Sequence, residues 1–462
     1  MAGRNSWGPS SFSRATVLIL ALVTAMISIG ASSSSPKAPD RGGVHEGVAS
    51  CAGSMCHGRQ VASGPVVRQN ELITWQDASS SAGDHSRAWR VLTTARAQAI
   101  ADRLGLGPAQ NAPPCLGCHA DPAPAGLHGA RFQISDGVGC EACHGGSGGW
   151  LASHYTLRAS HAANVARGLI PLDQAKARAA VCLNCHFGAA GAGQFVSHRI
   201  MSAGHPRLSF EMDLFSGLQR HYDLNAGYAR RKALAPGVQL WAVGQAMALD
   251  RSLGLFGSAR GQEGVFPEFY FFDCHSCHRA ISDNPAARPS FSFNPSRAIP
   301  SGMPPFDDEN MIMLSAAART VAPQFSQRFE TDSRNFHLAL TRDRAATMLA
   351  AGRLAVTARA LADAFAVRIF TRVDTFAILN DVLGDALAPR YTDYAGGAQA
   401  VMAIDTLLSA LVAAGQVDSV SVQAIRPDIN RAYAAVRDPN AYRPGEFHES
   451  LQRVATAVRS LR

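Results

Sequence analysis

The alternation of apolar and polar residues divides the chain into an N-terminal apolar run, a middle part with short helical stretches and a helical C-terminal part. The stretch Ala15 to Ala31 is uncharged and apolar, follows Arg4 and Arg14, and precedes residues rich in Ser and Pro. A basic start, an apolar centre and a small-residue exit are typical of a secretory signal peptide. We therefore expect residues 1–31 to be a signal peptide, or an anchor if uncleaved, and residues 32–44 to be a linker.

The C-terminal part has helical periodicity over long windows. Gly415 and Pro427 are predicted to end helices there. The periodicity predicts a helical bundle over residues 306–462, after a hinge rich in Pro and Ser at 284–305. The best helical windows are 335–370, 398–414 and 445–461, and one apolar stripe consists of Val401, Ile404, Leu408 and Leu411.

The middle part, residues 45–283, contains all ten cysteines of the chain and most of its histidines. Gly and Pro are frequent there, so its helices are expected to be short, and Arg87 to Leu104 is predicted to form one of them. Together with the C-terminal bundle, this pattern predicts a mainly α fold.

The ten cysteines form five pairs, and a histidine follows each pair directly. Four segments match C-x-x-C-H, the attachment signature of c-type haem. Two thiols on one turn can add to the two vinyl groups of a porphyrin, and the adjacent imidazole then binds the iron as proximal ligand. The four motifs contain Cys115, Cys118 and His119; Cys140, Cys143 and His144; Cys182, Cys185 and His186; and Cys274, Cys277 and His278.

A fifth segment, CAGSMCH, has four residues between its cysteines instead of two. We expect Cys51, Cys56 and His57 to form a fifth haem site, because a longer loop can reach both vinyl groups by bulging. The alternatives are attachment through Cys56 alone, or no haem at this segment. The expected cofactors are therefore five haem c groups, four of them at strict motifs.

Other uses of paired cysteines fit this pattern less well. A disulfide framework gives no reason for a histidine after every second cysteine, zinc would combine the pairs in fours, and a thioredoxin-like motif would occur once. The net charge of +8 is typical of proteins that bind nucleic acid or anionic membranes. Haem propionates would offset most of that charge, so we expect no nucleic-acid binding.

The sixth ligand of each iron decides between an electron carrier and a catalyst. Most of the histidines outside the motifs lie in the middle part of the chain, which favours two histidines per iron over ligation by Met55 or Met201. Apart from the five histidines that follow a cysteine pair, eleven remain, of which His275 lies inside the last motif: His45, His85, His128, His154, His161, His198, His205, His221, His275, His337 and His448.

Several segments resemble the cytochrome c-554-like family of periplasmic multihaem cytochromes. They are CAGSMCHG, NELITWQDASSSAGDHSRAWRVL, LHGARFQISDGVGCEACHGG with GGWLASH, and CLNCHFG followed by SHRIMSAGHPRLSFEMD, and they cover about residues 50 to 215. The fifth motif at Cys274 and the helical C-terminal part depart from the best-known members, which have four haems.

The resemblance implies a largely helical haem domain with little sheet, stacked haem pairs and electron transfer between redox partners. It also implies which histidines are the distal iron ligands. These are His85, His128, His154 and His205, with His198 as the best fifth candidate and His161 and His45 in reserve.

The function expected from these observations is that of a periplasmic cytochrome that passes electrons between redox protein partners. One alternative is an oxidoreductase that acts on a small nitrogen or sulfur compound at one open iron. Another is a structural subunit that docks to a membrane redox complex through its helical tail. Arg131, Arg199 and Arg207 can pair with haem propionates, or belong to the solvated surface.

Overall fold

The structure is a computed structural model. It describes residues 43–64, 67–191, 193–222, 234–262, 266–279, 283, 297, 299, 303–388, 391 and 393–462. The predicted signal peptide lies outside the described residues, as do nearly all of the predicted linker and most of the predicted hinge.

Helices make up almost all of the regular structure in the described part of the chain. The described residues contain no strand, and their only bridges are two isolated ones, His45 with His128 and Phe272 with Phe306. The predicted mainly α fold is therefore confirmed.

The part of the chain that carries the first four motifs consists of short helices joined by loops and 3-10 turns. In chain order these helices are α1 (Glu71–Trp75), α2 (Asp84–Val91), α3 (Ala95–Leu104), α4 (Pro113–His119), α5 (Cys140–His144), α6 (Leu151–His154), α7 (His161–Val165), α8 (Ala175–His186), α9 (His198–Ser202) and α10 (Met212–Leu218).

Eight longer helices follow, and seven of them lie beyond the predicted hinge. They are α11 (Gly237–Gly257), α12 (Glu309–Val321), α13 (Pro323–Leu340), α14 (Arg344–Val367), α15 (Arg372–Leu387), α16 (Asp393–Ala413), α17 (Ser419–Ala435) and α18 (Pro444–Arg459).

The helix predicted from Arg87 to Leu104 is two helices, α2 and α3. Thr94 interrupts it, because its backbone is extended and its hydroxyl accepts a hydrogen bond from Ala97 N, which starts a new helix. The C-terminal helices show the predicted periodicity. Gly415, with φ +66°, follows the end of α16 as predicted.

The prediction that Pro427 ends a helix is wrong, because Pro427 lies inside α17. A proline in a helix interior removes one backbone hydrogen bond and costs about 3 kcal/mol. Burial of Val422, Ile425 and Ile429 on the inner face of α17 offsets that cost.

The largest apolar core joins the helices on both sides of the predicted hinge. Helix α11 precedes the hinge and packs along α14, and it also contacts α8, α12 and α16. Trp241 and Phe256 of α11 are fully buried. The core therefore places the C-terminal helices directly against α8, the helix that ends in the motif of Cys182, Cys185 and His186. The domain boundaries expected at 283 and 306 stay predictions.

Helix α16 has the length and the apolar composition of a membrane-spanning helix. Its segment Tyr394–Ala413 is the one described helix long and apolar enough to cross a membrane, and 83% of its apolar window is buried in the protein. Such burial is typical of the core helix of a globular domain.

Candidate haem-binding sites

The four strict motifs lie on single helical turns, as attachment to one edge of a porphyrin requires. Three of them form the C-terminal ends of α4, α5 and α8, so that the motif histidine is the last residue of the helix. The fourth strict motif begins in the 3-10 helix Cys274–Ser276. The wider first motif lies in a turn after the 3-10 helix Val48–Ser50. All ten cysteines are free thiols, so no disulfide competes for their sulfur atoms.

Each motif histidine faces one histidine from another part of the chain. Two imidazoles that bind one metal ion have ring centres about 6 Å apart, because each nitrogen lies about 2 Å from the metal and each ring centre about 1 Å behind its nitrogen. The distances between ring centres are 6.3 Å for His57 and His154, 6.3 Å for His119 and His205, 6.4 Å for His144 and His221, 5.9 Å for His186 and His85, and 6.1 Å for His278 and His198. All five separations fit one iron between two imidazoles.

The number of protein ligands at each position also suits haem. Haem iron takes only two ligands from the protein, since the porphyrin supplies the other four. A structural zinc site needs four protein ligands, and the described residues contain no group of three or more His, Cys, Asp or Glu that could hold a metal ion.

Hydrogen bonds orient the rings of five of these ten histidines. In each case Nδ1 donates to an oxygen atom, which leaves the Nε2 lone pair to bind a metal. The acceptors are Glu71 Oε2 for His57 (2.9 Å), Ala88 O for His119 (2.9 Å), Leu151 O for His154 (2.6 Å), Pro206 O for His205 (2.7 Å) and Gln219 O for His221 (3.3 Å).

The protonation state of the buried rings is also the one that ligation needs. Burial lowers the pKa of His144 to about 4 and that of His186 to about 4. Burial likewise lowers the pKa of His85, His205 and His221. These five imidazoles are therefore neutral at neutral pH, and neutral imidazole is the form that binds a metal.

His57 differs from these rings because a carboxylate lies beside it. The hydrogen bond to Glu71 raises the pKa of His57, with burial acting in the opposite direction. A carboxylate in this position holds the ring in place and makes it a more basic ligand. Glu71 is the first residue of α1, and the sequence prediction did not single it out.

Four of the five predicted distal ligands lie opposite a motif histidine: His85, His154, His198 and His205. The structure does not bring the fifth, His128, to any of these positions. The Nε2 atom of His128 lies 2.9 Å from Ala123 O, and its ring stacks on Phe132 with centres 3.7 Å apart. Its nitrogen is thus engaged by the backbone.

His221 lies opposite His144, and the prediction did not name it among the distal ligands. It lies beyond residue 215, where the family resemblance ends, so the resemblance could not identify it. The sequence contained only a general signal, the excess of histidines in the motif-bearing part. His221 is one of those histidines, but nothing marked it as a ligand.

The two reserve histidines are engaged elsewhere. His45 is fully buried and its Nδ1 lies 2.8 Å from Asp121 Oδ2. His161 is largely exposed, with Nε2 3.4 Å from Asp173 Oδ1. Neither forms a ring pair with a motif histidine.

The first and third sites are neighbours. The thiols of Cys51 and Cys140 lie next to each other, and each shifts the pKa of the other. Glu141, inside the third motif, accepts hydrogen bonds from the backbone N–H groups of Glu46 (2.8 Å) and Gly47 (2.7 Å), just ahead of the first motif. These contacts fix the two motifs against each other.

The second and fourth sites form a similar pair. Cys118 Sγ lies 4.0 Å from Cys185 O, and Cys185 Sγ lies 3.8 Å from Gly117 O. The two pairs meet at the third and fourth sites. His85, which faces His186, accepts a hydrogen bond through its carbonyl from Val138 N (3.0 Å), two residues ahead of Cys140.

The fifth site adjoins the second one through a short segment of chain. His198 begins α9 and faces His278, and His205 follows the same helix and faces His119. The contacts thus arrange the sites in the order first, third, fourth, second and fifth. Cys56 and Cys277 are the exposed cysteines among the ten, and they belong to the first and fifth sites, at the two ends of this row.

Comparison with known proteins agrees with the motifs. Residues 51–145 match the protein family described as cytochrome c554 and c-prime, and this segment contains the first three motifs. No curated protein and no solved structure is similar enough to the chain to count as a match. The predicted resemblance is confirmed by the family match. Residues 51–145 are similar to cytochrome c554, and this similarity supports a c-type cytochrome with an electron-transfer role and covalently bound haem c.

Proposed function

We propose that the chain is an exported multihaem cytochrome that transfers electrons between redox partners through five haem c groups, each held by two histidines. The observation that carries this proposal is the set of five histidine pairs, whose ring centres lie 5.9 to 6.4 Å apart. Haem iron supplies one-electron redox chemistry when it is bound at such a pair.

The protein contributes attachment, orientation and spacing. The ten cysteines attach the cofactors, and the motif histidines are their proximal ligands. The distal ligands in this proposal are His85, His154, His198, His205 and His221, with His221 in place of His128. Backbone carbonyls and Glu71 hold the rings with Nε2 directed away from the hydrogen bond.

The row of sites supports entry and exit of electrons at its ends. The exposed Cys56 and Cys277 mark the first and fifth sites as the positions that a redox protein partner can approach. The cysteines of the three inner sites are less exposed, and contacts within the chain hold these sites together. The proposal therefore places one partner at each end.

Each motif histidine has a facing histidine. The alternative, a catalytic site at an iron with an open coordination position, is therefore favoured by no observation. The location belongs to the proposal as well. A basic N-terminus followed by an apolar run supports export to the periplasm with removal of residues 1–31.

Intact mass spectrometry of the protein purified from the periplasm tests this proposal. Each covalent haem adds about 616 Da, so the expected mass is that of the chain without residues 1–31 plus five haems. In the five-haem protein the variant C56A is expected to lose one haem. A mass with four haems that stays unchanged in C56A would remove the first site from the proposal. A mass with no haem would contradict the proposed function.

A further inference from the structure

The fifth motif is held by the beginning of the C-terminal helical part. Just ahead of Cys274, the backbone of Phe271 accepts a hydrogen bond from Asp307 N (2.8 Å), and Asp273 N donates to Pro305 O (2.9 Å). These two bonds join residues 271–273 to the segment that leads into α12. The fifth site is therefore attached to the C-terminal helices at the point where its motif begins.

Two more segments of the C-terminal part contact the same motif. Asp273 Oδ2 accepts a hydrogen bond from Ala395 N in α16 (2.8 Å). His275, inside the motif, lies with its Nδ1 2.7 Å from Pro439 O, and its ring packs edge-on against Tyr442. The motif thus rests in a socket formed by three separate parts of the helical region.

Arg207 connects this socket to the haem-attachment cysteine. Its guanidinium forms an ion pair with Asp307, and its Nη1 donates a hydrogen bond to Cys274 Sγ (3.0 Å). In the haem-bearing protein this sulfur is a thioether bonded to the porphyrin. The side chain of Arg207 is only 12% exposed, so its charge acts in a medium that screens it weakly.

The charges around Arg207 are otherwise acidic. Asp273 is 1% exposed and Glu309, at the start of α12, is 8% exposed. Burial and the neighbouring Asp307 raise the pKa of Glu309 well above its usual value. Arg207 contacts Cys274 and forms an ion pair with Asp307, so the charge of Asp307 opposes that of Arg207 at this sulfur.

We propose that Arg207 is a positioning residue of the fifth site, which ties Cys274 to the C-terminal helices and raises the reduction potential of the haem attached there against the opposing effect of Asp307. This inference rests on the proposed function. Reduction adds an electron to the cofactor, so a fixed positive charge at its edge stabilises the reduced form. The sequence suggested that Arg207 pairs with a haem propionate or lies on the solvated surface. In the proposed role it contacts the attachment cysteine instead.

Potentiometric titration of the five-haem protein, followed by optical absorbance, tests the inference. The variant D307N leaves the charge of Arg207 unopposed, and one of the five midpoint potentials is expected to rise. The double variant R207M/D307N removes both charges, and that potential is expected to fall back. The matched control D385N breaks the ion pair of Arg319 with Asp385 (2.8 Å) between α12 and α15, and all five potentials are expected to stay.

The intact mass of each variant is measured first. Five haems with unchanged potentials in D307N, or a rise that persists in R207M/D307N, would overturn the inference and leave the proposed function standing. If D307N carries fewer than five haems, the variant R207K decides, because it keeps the charge beside Cys274. All five potentials are then expected to stay as in the parent protein, and a shifted one would overturn the inference. Absence of haem from the parent protein would instead contradict the proposed function.

Discussion

His128 differs from the facing histidines in which ring nitrogen the protein engages. His154, His205 and His221 use Nδ1 for a hydrogen bond to a backbone carbonyl, whereas His128 uses Nε2. A c-type haem motif presents the iron to Nε2 of its ligands, so the free nitrogen decides which ring can bind. Which ring nitrogen is engaged depends on where the backbone carbonyls lie in the fold, and this cannot be predicted from the sequence.

The assignment of His221 gives the first prediction. In H221A the iron at Cys140 and Cys143 loses its sixth ligand, and the reduced protein is expected to bind one CO per chain. The matched control H128A removes a histidine that faces no motif, and is expected to bind none. CO difference spectra measure both. Binding of CO by H128A, with none by H221A, would restore His128 as the ligand.

Glu71 gives the second prediction. Its carboxylate accepts the Nδ1–H of His57 and makes that ring a more basic ligand, which stabilises ferric iron. In E71Q the amide oxygen keeps the hydrogen bond without the charge. One midpoint potential is expected to rise by on the order of 60 mV, a tenfold change in a one-electron equilibrium. The exposed control E449Q is expected to change none, and an unchanged or lowered potential in E71Q would contradict the role of Glu71.

Much of the site could be predicted at the residue level, because covalent attachment requires a fixed local spacing. The motif residues follow from that spacing alone, and His85, His154, His198 and His205 followed from a family resemblance. His221 could not be predicted, because it reaches His144 only through the fold of the intervening chain. Glu71 lies fourteen residues from His57 and gave no signal for the same reason.

At the level of helices, local chemistry explains both the correct predictions and the wrong ones. The long apolar stripes of the C-terminal part formed helices as predicted, because their periodicity extends over many turns. At Thr94 the capping hydrogen bond from Ala97 N starts a new helix and ends the predicted single helix. At Pro427 the proline disfavours a helix, whereas burial of the inner face favours it. In α17 the buried inner face prevails over the lost hydrogen bond.

Pro427 gives the third prediction. It is an exposed residue in the interior of α17, so P427A restores a backbone donor without disturbing the core. The free energy of unfolding is expected to rise by about 1 to 2 kcal/mol, after the loss of the proline's restriction on the unfolded chain. Urea denaturation measures it, with V420A at another exposed position of α17 as control. A less stable P427A would show that α17 requires the proline.

Glu211 links the motif-bearing part to the C-terminal helices. It caps α10 by accepting hydrogen bonds from Asp213 N (2.9 Å) and Leu214 N (2.7 Å), and it also accepts one from the Thr406 hydroxyl in α16 (2.6 Å). Burial raises the pKa of Glu211 to about 7. The folded chain therefore keeps a proton on Glu211 that the unfolded chain loses at lower pH.

This difference gives the fourth prediction. Because the folded pKa is higher than the unfolded one, the contribution of Glu211 makes the free energy of unfolding fall as the pH rises from about 4.5 to about 7, by about 3 kcal/mol. The variant E211Q cannot ionise and is expected to lose that part of the pH dependence. Urea denaturation of both proteins at pH values of about 5 and about 7 measures it. An equal pH dependence in the two proteins would contradict the assignment.

At the level of the whole molecule, the C-terminal helices and the haem sites are parts of one arrangement. The apolar core continues from α8 and α11 into the helices beyond the predicted hinge. The fifth motif adds contacts of its own, through Asp273 and His275. The sequence predicted a helical tail but not this socket, because the contacts of Asp273 with Ala395 and of His275 with Pro439 join residues more than a hundred positions apart.

The central claim is that each of the five irons has two histidine ligands, and titration of the fully reduced five-haem protein with CO tests it most directly. The account predicts no CO-induced change in the absorbance spectrum, while H221A, measured alongside, takes up one CO per chain. Uptake of one or more CO by the unaltered protein would mean an open iron and would contradict the account.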